Sequence, residues 1–188
     1  RYGFSGILPG IGPLTDSIRW QTCAAPYVHV IEHLPGPSGH TRDGIARYSD
    51  SLSWALQPFI GTLATAPERE VFTSVLGQGA FGGNIDCRDI CPGHTIYLNS
   101  YHRGGLLYIG DVHGGQGDTE FTGIADETRA TVQLSCTVIK RKRLPCVRID
   151  KPASVVALGI NLPMEQAVLD ATQNLMAWLE EEYAVALK

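Results

Sequence analysis

Short apolar runs separated by glycine and proline are the feature that most limits how this chain can fold. Turn signals stand at Pro9-Gly10, at Gly12-Pro13 and throughout residues 35–39. Between them lie short stretches such as 27–31 (YVHVI), whose β-branched and aromatic residues and period-two character are typical of a strand. The spacing therefore predicts many short strands rather than long helices.

Further segments have the composition of strands, and one of them indicates how the strands are arranged. They are residues 95–100, 105–109, 129–139 and 154–160. In 129–139 (RATVQLSCTVI), apolar residues alternate with polar ones, which predicts one face on a core and the other in water. This alternation is typical of antiparallel sheets. We therefore predict a mainly β (α+β) fold with an antiparallel β-sandwich or a barrel-like core.

The end of the chain, residues 163–183, is its plainly helical part. Apolar side chains recur there three and four residues apart and form one stripe, which comprises Ala167, Val168, Ala171, Leu175, Trp178 and Leu179. Pro163 suits the first turn of such a helix. The prediction is one β-rich domain over residues 1–188 that ends in an amphipathic helix.

Composition excludes several classes of partner. The formal net charge is -4, which argues against nucleic acid and against an anionic membrane surface. No apolar run approaches the roughly 20 residues of a membrane-spanning helix. The 5 cysteines are odd in number and scattered, so we expect a soluble protein of the reducing cytoplasm rather than a disulfide scaffold.

The stretch 105–120 (GLLYIGDVHGGQGDTE) is the strongest candidate site. An apolar run stops at Asp111 and is followed by His113, Gln116, Asp118 and Glu120. The intervening glycines allow the tight turns that bring such side chains together. The same residue types also occur in a tight Asx-type turn, so the run alone predicts either a site or a turn.

A metal site is the functional interpretation of this run. A catalytic zinc keeps three ligands from His, Asp and Glu and leaves one position for water. Asp111 and His113 could bind such an ion, with Asp86 or Asp118 as a further ligand or as the group that orients the imidazole. Glu120 is then the candidate general base. Oxygen-rich carboxylate loops hold calcium equally well, so the residues leave the metal open.

Residues 82–128, from GGNIDCRDICPGH through GDVHGGQGDTE to GIADET, resemble the acetamidase/formamidase family. Weaker similarities extend the resemblance to the LPGIGPL loop, to PFIGTLATAPE and to the terminal helix. The chain departs from the family pattern at Gly114, Gly115 and Thr119. These differences change the packing around the pocket and leave its polar side chains the same.

The resemblance implies hydrolysis of a small linear carboxamide to a carboxylic acid and ammonia, in an oligomeric, mainly β enzyme. On this basis we expect a divalent metal, zinc or alternatively calcium, held by Asp86, Asp111 and His113. The expected acid–base and oxyanion groups are Glu120 as proton shuttle, Asp118, and Asn84 or Gln116 as donors. Cys87 is the nucleophilic alternative.

Family members also have a segment before the loop that LPGIGPL resembles, and Arg1 is not a start methionine. We therefore expect a second polypeptide that carries this portion, in a homo- or hetero-oligomer. Two other functions fit the same residues. One is hydrolysis of a lactam or of another C–N bond, and the other is a non-catalytic metal-binding subunit of a two-chain assembly.

Overall fold

The computed structural model describes residues 2–8, 27–71 and 76–186. The chain divides into two compact units. The first comprises Arg1–Gly61, Asp86–Pro92 and Asp111–Val132, and the second comprises Thr62–Ile85, Gly93–Gly110 and Gln133–Lys188. The turn signals at residues 9–13 and Cys23 lie outside the described residues. That residues 1–188 form a single domain stays a prediction.

The regular elements are mostly short strands. In chain order they are β1 (Tyr2–Ile7), β2 (Tyr27–Leu34), β3 (Ile45–Arg47), β4 (Ser53–Ala55), β5 (Phe59–Ala64), β6 (Gln78–Gly79), β7 (Gly82–Asn84), β8 (Thr95–Tyr97), β9 (Tyr108–His113), β10 (Glu127–Thr128), β11 (Arg148–Lys151), β12 (Ser154–Ala157) and the helix α1 (Met164–Tyr183). A 3₁₀ turn, Thr41–Asp43, precedes β3.

In the first unit, antiparallel strands follow the order β4-β3-β2-β1-β10-β9. The side chains of Ile31, Ala46 and Leu56 form a buried cluster there, with Tyr48 and Trp54 packed against it. Burial of large apolar groups such as Ile31 contributes about 1.5–3 kcal/mol each to stability. This packed sheet supports β9 and β10.

The second unit contains two antiparallel sets of strands, β5-β7-β6 and β12-β11-β8, together with α1. Trp178 of α1 is buried, and the guanidinium of Arg148 lies 5.2 Å from the centre of its ring. Arg148 Nε also donates to Asn174 Oδ1 at 2.8 Å. Close contact with α1 requires Gly159, because a Cβ there would lie 2.0 Å from the Ala167 carbonyl oxygen.

The predicted fold class is confirmed: the protein is mainly β, with antiparallel pairing and a C-terminal helix. The helix occupies residues 164–183, within the predicted range of 163–183. Val168 is nevertheless exposed, and the polar Asn174 is buried with Trp178 instead. Among the described residues, none of the strand orders within either unit closes into a barrel.

Strands are present where they were predicted at 27–31, 95–100 and 154–160, although the last two end earlier, at Tyr97 and Ala157. The strand predicted at 105–109 begins later, at Tyr108. The prediction of a strand at residues 129–139 is wrong, because this segment forms no strand in the described part of the chain. Its side chains are exposed on both faces, with Val138 at 81%. Alternation makes a strand only where a neighbouring strand accepts its hydrogen bonds. The helices of the described residues include none that is long and apolar enough to cross a membrane.

Candidate metal and acid–base site

Strands β9 and β10 place a histidine and a carboxylate side by side. His113, the last residue of β9, pairs in register with Glu127, the first residue of β10. The His113 side chain is fully buried, and the edge of its ring contacts Phe59. Its Nε2 atom lies 3.2 Å from Oδ1 of Asp111 and 3.4 Å from Oε1 of Glu127. One imidazole nitrogen therefore faces two carboxylates.

A third carboxylate reaches the same nitrogen from the turn after the glycine-rich loop. Oε1 of Glu120 lies 3.9 Å from Nε2 of His113. The backbone N–H of Ala125 donates to Oε1 of Glu120 and also to Oε1 of Glu127, at 3.0 Å in each case. A single amide thus holds both glutamates beside the imidazole.

Asp86, just after β7, completes a second group around His113. One ligand atom each from Asp86, Asp111 and His113 lies within 4.8 Å of the others. Oδ1 of Asp86 is buried and has no hydrogen-bond partner among the described residues. Burying a carboxylate oxygen without a hydrogen-bond partner lowers the stability of the folded protein unless a proton or a cation neutralises the charge.

The backbone at both aspartates is left-handed, with φ of 51° at Asp86 and 59° at Asp111. Asp tolerates this region better than most residues, but it remains sparsely populated and is found preferentially at functional sites. Gly61 makes the approach of the two carboxylates possible. A Cβ at Gly61 would lie 2.6 Å from Oδ2 of Asp111 and 2.8 Å from Oδ1 of Asp86.

Gln116 orients the imidazole of His113. Nε2 of Gln116 donates to the backbone oxygen of Asp86 at 2.8 Å, which directs its Oε1 atom toward Nδ1 of His113 at 3.0 Å. Nδ1 must therefore carry a proton, and Nε2 is the atom left to face the carboxylates. This is the tautomer in which a histidine binds a metal through Nε2.

The charges in this group shift the pKa values of its members. Burial opposes protonation of His113, but the hydrogen bond to Asp111 and the charges of Glu127, Asp111 and Glu120 outweigh it and raise the pKa of His113 to about 9. Burial, together with the charges of Glu120 and Asp111, raises the pKa of Asp86 to about 7. Burial also raises the pKa of both Glu120 and Glu127. The group therefore attracts positive charge.

Two overlapping sets of side chains could each hold a metal ion, and both include His113. The first is Asp86, Asp111 and His113, and the second is His113, Glu120 and Glu127. One imidazole with carboxylates is a donor set that catalytic zinc sites use, while the surplus of oxygen atoms also suits calcium. The residues present thus fit a divalent cation.

The structure brings together most of the residues that the sequence indicated, namely Asp86, Asp111, His113, Gln116 and Glu120. Asp118 is not among them, because its side chain is 88% exposed and pairs with Arg88. Oδ1 of Asn84, in the second unit, accepts a hydrogen bond from Thr62 at 2.6 Å. The catalytic roles of Asn84 and Asp118 stay predictions.

Glu127 is the member of the site that the sequence analysis did not single out. It lies in the GIADET segment, which was recognised only as part of the family resemblance. Its position opposite His113 depends on the pairing of β9 with β10. The described cysteines, which are Cys87, Cys91, Cys136 and Cys146, form no disulfide, and the nucleophilic alternative at Cys87 stays a prediction.

Comparison with known proteins shows which family this group of residues resembles. Residues 74–157 match the model of the Acetamidase/Formamidase family, and this range contains every member of the two ligand sets. The resemblance to the acetamidase/formamidase family is confirmed. A Schizosaccharomyces pombe protein that carries the name of a formamidase is 29% identical over 114 residues, which are 60% of this chain and 24% of that protein.

Two solved acetamidases share the fold. The acetamidase from Bacillus halodurans is 30% identical, with a TM-score of 0.81, and the match covers 100% of this chain and 58% of that one. The acetamidase from Yersinia enterocolitica is 28% identical, with a TM-score of 0.78, and the match covers 98% of this chain and 54% of that one. The chain therefore spans little more than half the length of these solved relatives.

Proposed function

We propose that this chain carries the metal-binding and acid–base side chains of an amidase, which hydrolyses a small linear carboxamide to a carboxylic acid and ammonia. The observation that carries the proposal is the buried imidazole of His113, whose Nε2 atom faces the carboxylates of Asp111, Glu120 and Glu127. The names of the related proteins support amide hydrolysis as the reaction.

The proposed ligands of a divalent metal are Asp86, Asp111 and His113. When bound, such an ion would polarise the amide carbonyl and make a water molecule more acidic. The unpartnered Oδ1 atom of Asp86 and the Nε2 atom of His113, which lies 3.2 Å from Oδ1 of Asp111, support this assignment. Zinc suits a site with an open coordination position, and calcium is the alternative where more oxygen ligands are available.

Glu120 is the proposed proton shuttle. Its carboxylate is partly exposed, at 19%, and the N–H of Ala125 fixes its Oε1 atom. Burial raises its pKa, which brings it closer to the range in which a carboxyl both accepts and donates a proton. It can therefore take a proton from the attacking water and return it to the departing nitrogen. Gln116, already bonded at both ends of its amide, acts on this proposal by orienting His113.

The activity is tested by ammonia release from formamide, acetamide, propionamide and a small lactam. The protein is treated exhaustively with a chelator and then reloaded with Zn²⁺ or Ca²⁺ alone. Turnover of a linear amide that chelation abolishes and one metal restores would support the proposal. Full activity after chelation would contradict the metal-dependent mechanism. Turnover of the lactam alone would favour the cyclic-amide alternative, and metal binding without turnover would favour a non-catalytic subunit.

We also propose that a second polypeptide completes the enzyme in a homo- or hetero-oligomer. The matches cover only 54% and 58% of the two solved acetamidases. Within the described part of the first unit, its sheet also presents an exposed apolar face, where Phe4 pairs with Val30 next to Val28. The exposed fractions of these three residues are 45%, 63% and 66%. Such a face is typical of a surface that another protein segment covers.

Native mass spectrometry of the active protein tests this part of the proposal. We expect the active species to contain a further polypeptide, or a longer form of this chain, in addition to the 20.4 kDa sequence. A lone 20.4 kDa species with full activity would contradict it.

A further inference from the structure

A second histidine–carboxylate pair lies beside the proposed site. Nε2 of His33, on β2, donates to both carboxylate oxygens of Asp126, at 2.9 and 3.0 Å. The two side chains are 5% and 3% exposed. Among the described residues, the imidazole of His33 is the donor to this carboxylate. A buried carboxylate depends strongly on such a donor, because removing it costs the free energy of burying a charge without a partner.

The His33–Asp126 pair packs closely against the backbone at two glycines, Gly3 and Gly114. A Cβ at Gly3 would lie 2.0 Å from Oδ1 of Asp126 and 2.7 Å from Nε2 of His33. A Cβ at Gly114 would lie 2.7 Å from Oδ2 of Asp126. The pair is thus enclosed between β1, β2 and the residue that follows His113.

The backbone of Asp126 connects this pair to the proposed site. Its carbonyl accepts from the N–H of Gly114 at 2.7 Å, and its own N–H donates to the carbonyl of Gly115 at 3.2 Å. Its neighbours in sequence are Ala125, whose N–H holds two glutamates, and Glu127, which pairs with His113. A displacement of Asp126 would therefore move both groups.

We propose that His33 is a positioning residue that acts through Asp126. By holding the Asp126 carboxylate, it fixes the N–H of Ala125 and the register of Glu127 against His113, and so keeps the carboxylates of Glu120 and Glu127 at Nε2. The effect of His33 on catalysis rests on the proposed function, whereas the positioning of Asp126 by His33 does not depend on a metal.

The test compares two variants of His33 with a control in the second unit. His33→Leu removes the donor, whereas in His33→Gln the side-chain amide can still donate to Asp126. Asn174→Leu breaks a buried polar pair of similar kind, the one with Arg148, far along the chain from Ala125. All three are compared at equal fractions of folded protein.

The first measurement is amide hydrogen exchange of Ala125 and Gly114 in the metal-free protein. In His33→Leu we expect the exchange rates of these two amides to increase about 10-fold more than the average increase at other amides. In His33→Gln most of the protection of the two amides should be restored. The Asn174→Leu variant should show no such local excess. A uniform increase in His33→Leu, equal to that in Asn174→Leu, would overturn the proposal.

The second measurement is the affinity of each variant for Zn²⁺ in the absence of substrate. It is accompanied by separate determination of kcat and KM for acetamide. Loss of an outer positioning group typically costs about 10- to 100-fold in metal affinity or activity, and we expect this loss in kcat with KM little changed. Unchanged Zn²⁺ affinity and kcat in His33→Leu would overturn the link to the site. If the unchanged protein neither binds Zn²⁺ nor releases ammonia, the proposed function fails, while hydrogen exchange still decides the positioning role.

Discussion

Nδ1 of His113 lies 3.0 Å from Oε1 of Gln116, and the opposite end of the same amide donates to the backbone oxygen of Asp86. This bridge joins the two segments that supply Asp86 and His113 to the site. It also determines the imidazole nitrogen that faces the carboxylates, because an amide oxygen accepts only from a protonated Nδ1.

Replacing Gln116 with Leu should weaken metal binding while the fold persists. Without the amide, the ring of His113 loses the acceptor that selects its tautomer, and we expect the Zn²⁺ affinity to fall about 10- to 100-fold. Calorimetric titration with Zn²⁺ measures this. Gln133→Leu is the control, since Gln133 is exposed and lies outside the site. Equal affinities in the two variants would show that Gln116 has no orienting role.

Replacing Glu120 with Gln should abolish most of the activity. The amide oxygen can still accept from Ala125, so the geometry is kept, but the side chain no longer exchanges a proton. We expect kcat to fall about 10²- to 10⁴-fold, the usual contribution of a general acid–base group. Initial rates of ammonia release provide the measurement.

The matched control for Glu120 is Asp118→Asn in the same loop. Asp118 is 88% exposed and pairs with Arg88 at the surface, and such pairs contribute little. We expect Asp118→Asn to keep kcat near that of the unchanged protein. A loss as large as that of Glu120→Gln would instead establish the catalytic role that the sequence suggested for Asp118.

Adding one methyl group at Gly61 should disrupt the site directly. The new Cβ would lie within 2.6–2.8 Å of oxygen atoms of Asp111 and Asp86, so one carboxylate must move. We expect Gly61→Ala to lose Zn²⁺ binding and to destabilise the protein by about 1–3 kcal/mol, as overpacking does. Gly110→Ala is the control, because its Cβ meets no atom within 4 Å. Normal Zn²⁺ binding in Gly61→Ala would contradict this geometry.

The metal-free protein should become less stable as the pH rises. The pKa of Asp86 is raised from 3.8 to about 7, and that of His113 from 6.5 to about 9. In both cases the folded state holds the proton more tightly than the unfolded chain does. The stabilisation is therefore complete below the unfolded pKa and is lost as the pH passes through the folded value.

Urea unfolding of the chelated protein at pH values of about 5, 7 and 9 measures this effect. We expect the free energy of unfolding to fall over both intervals. Asp86→Asn should make the fall between pH about 5 and 7 smaller, because one of the groups with a raised pKa is then absent, while a fall between pH about 7 and 9 should remain. Saturating Zn²⁺ should reverse the trend, since a metal replaces the protons. A metal-free stability that rises between pH about 5 and 9 would contradict the predicted direction.

Much of the site was predictable because its members are close together in sequence. Asp111, His113, Gln116 and Glu120 lie within ten residues of one another, and glycines between them permit the turns that bring them together. Glu127 was not predictable in this way. Its role follows from its register opposite His113, and register depends on the whole sheet rather than on local pattern.

The segment 129–139 shows that a local pattern can also predict a strand that the structure does not contain. Its polar and apolar residues alternate as they do in a strand, yet they are exposed and form no strand within the described structure. Hydrogen bonds to a neighbouring strand stabilise a strand, and the pattern within one segment carries no information about whether such a neighbour exists.

The amino-acid sequence by itself determined the mainly β class, the terminal helix and the chemical types gathered in the loop from Asp111 to Glu120, because these follow from local periodicity and spacing. Only the tertiary structure decided that Asp118 points outward, that Glu127 joins His113, and that His33 holds Asp126 beside them. These relationships join residues far apart in the chain, and packing of the strands alone brings such residues within hydrogen-bonding distance.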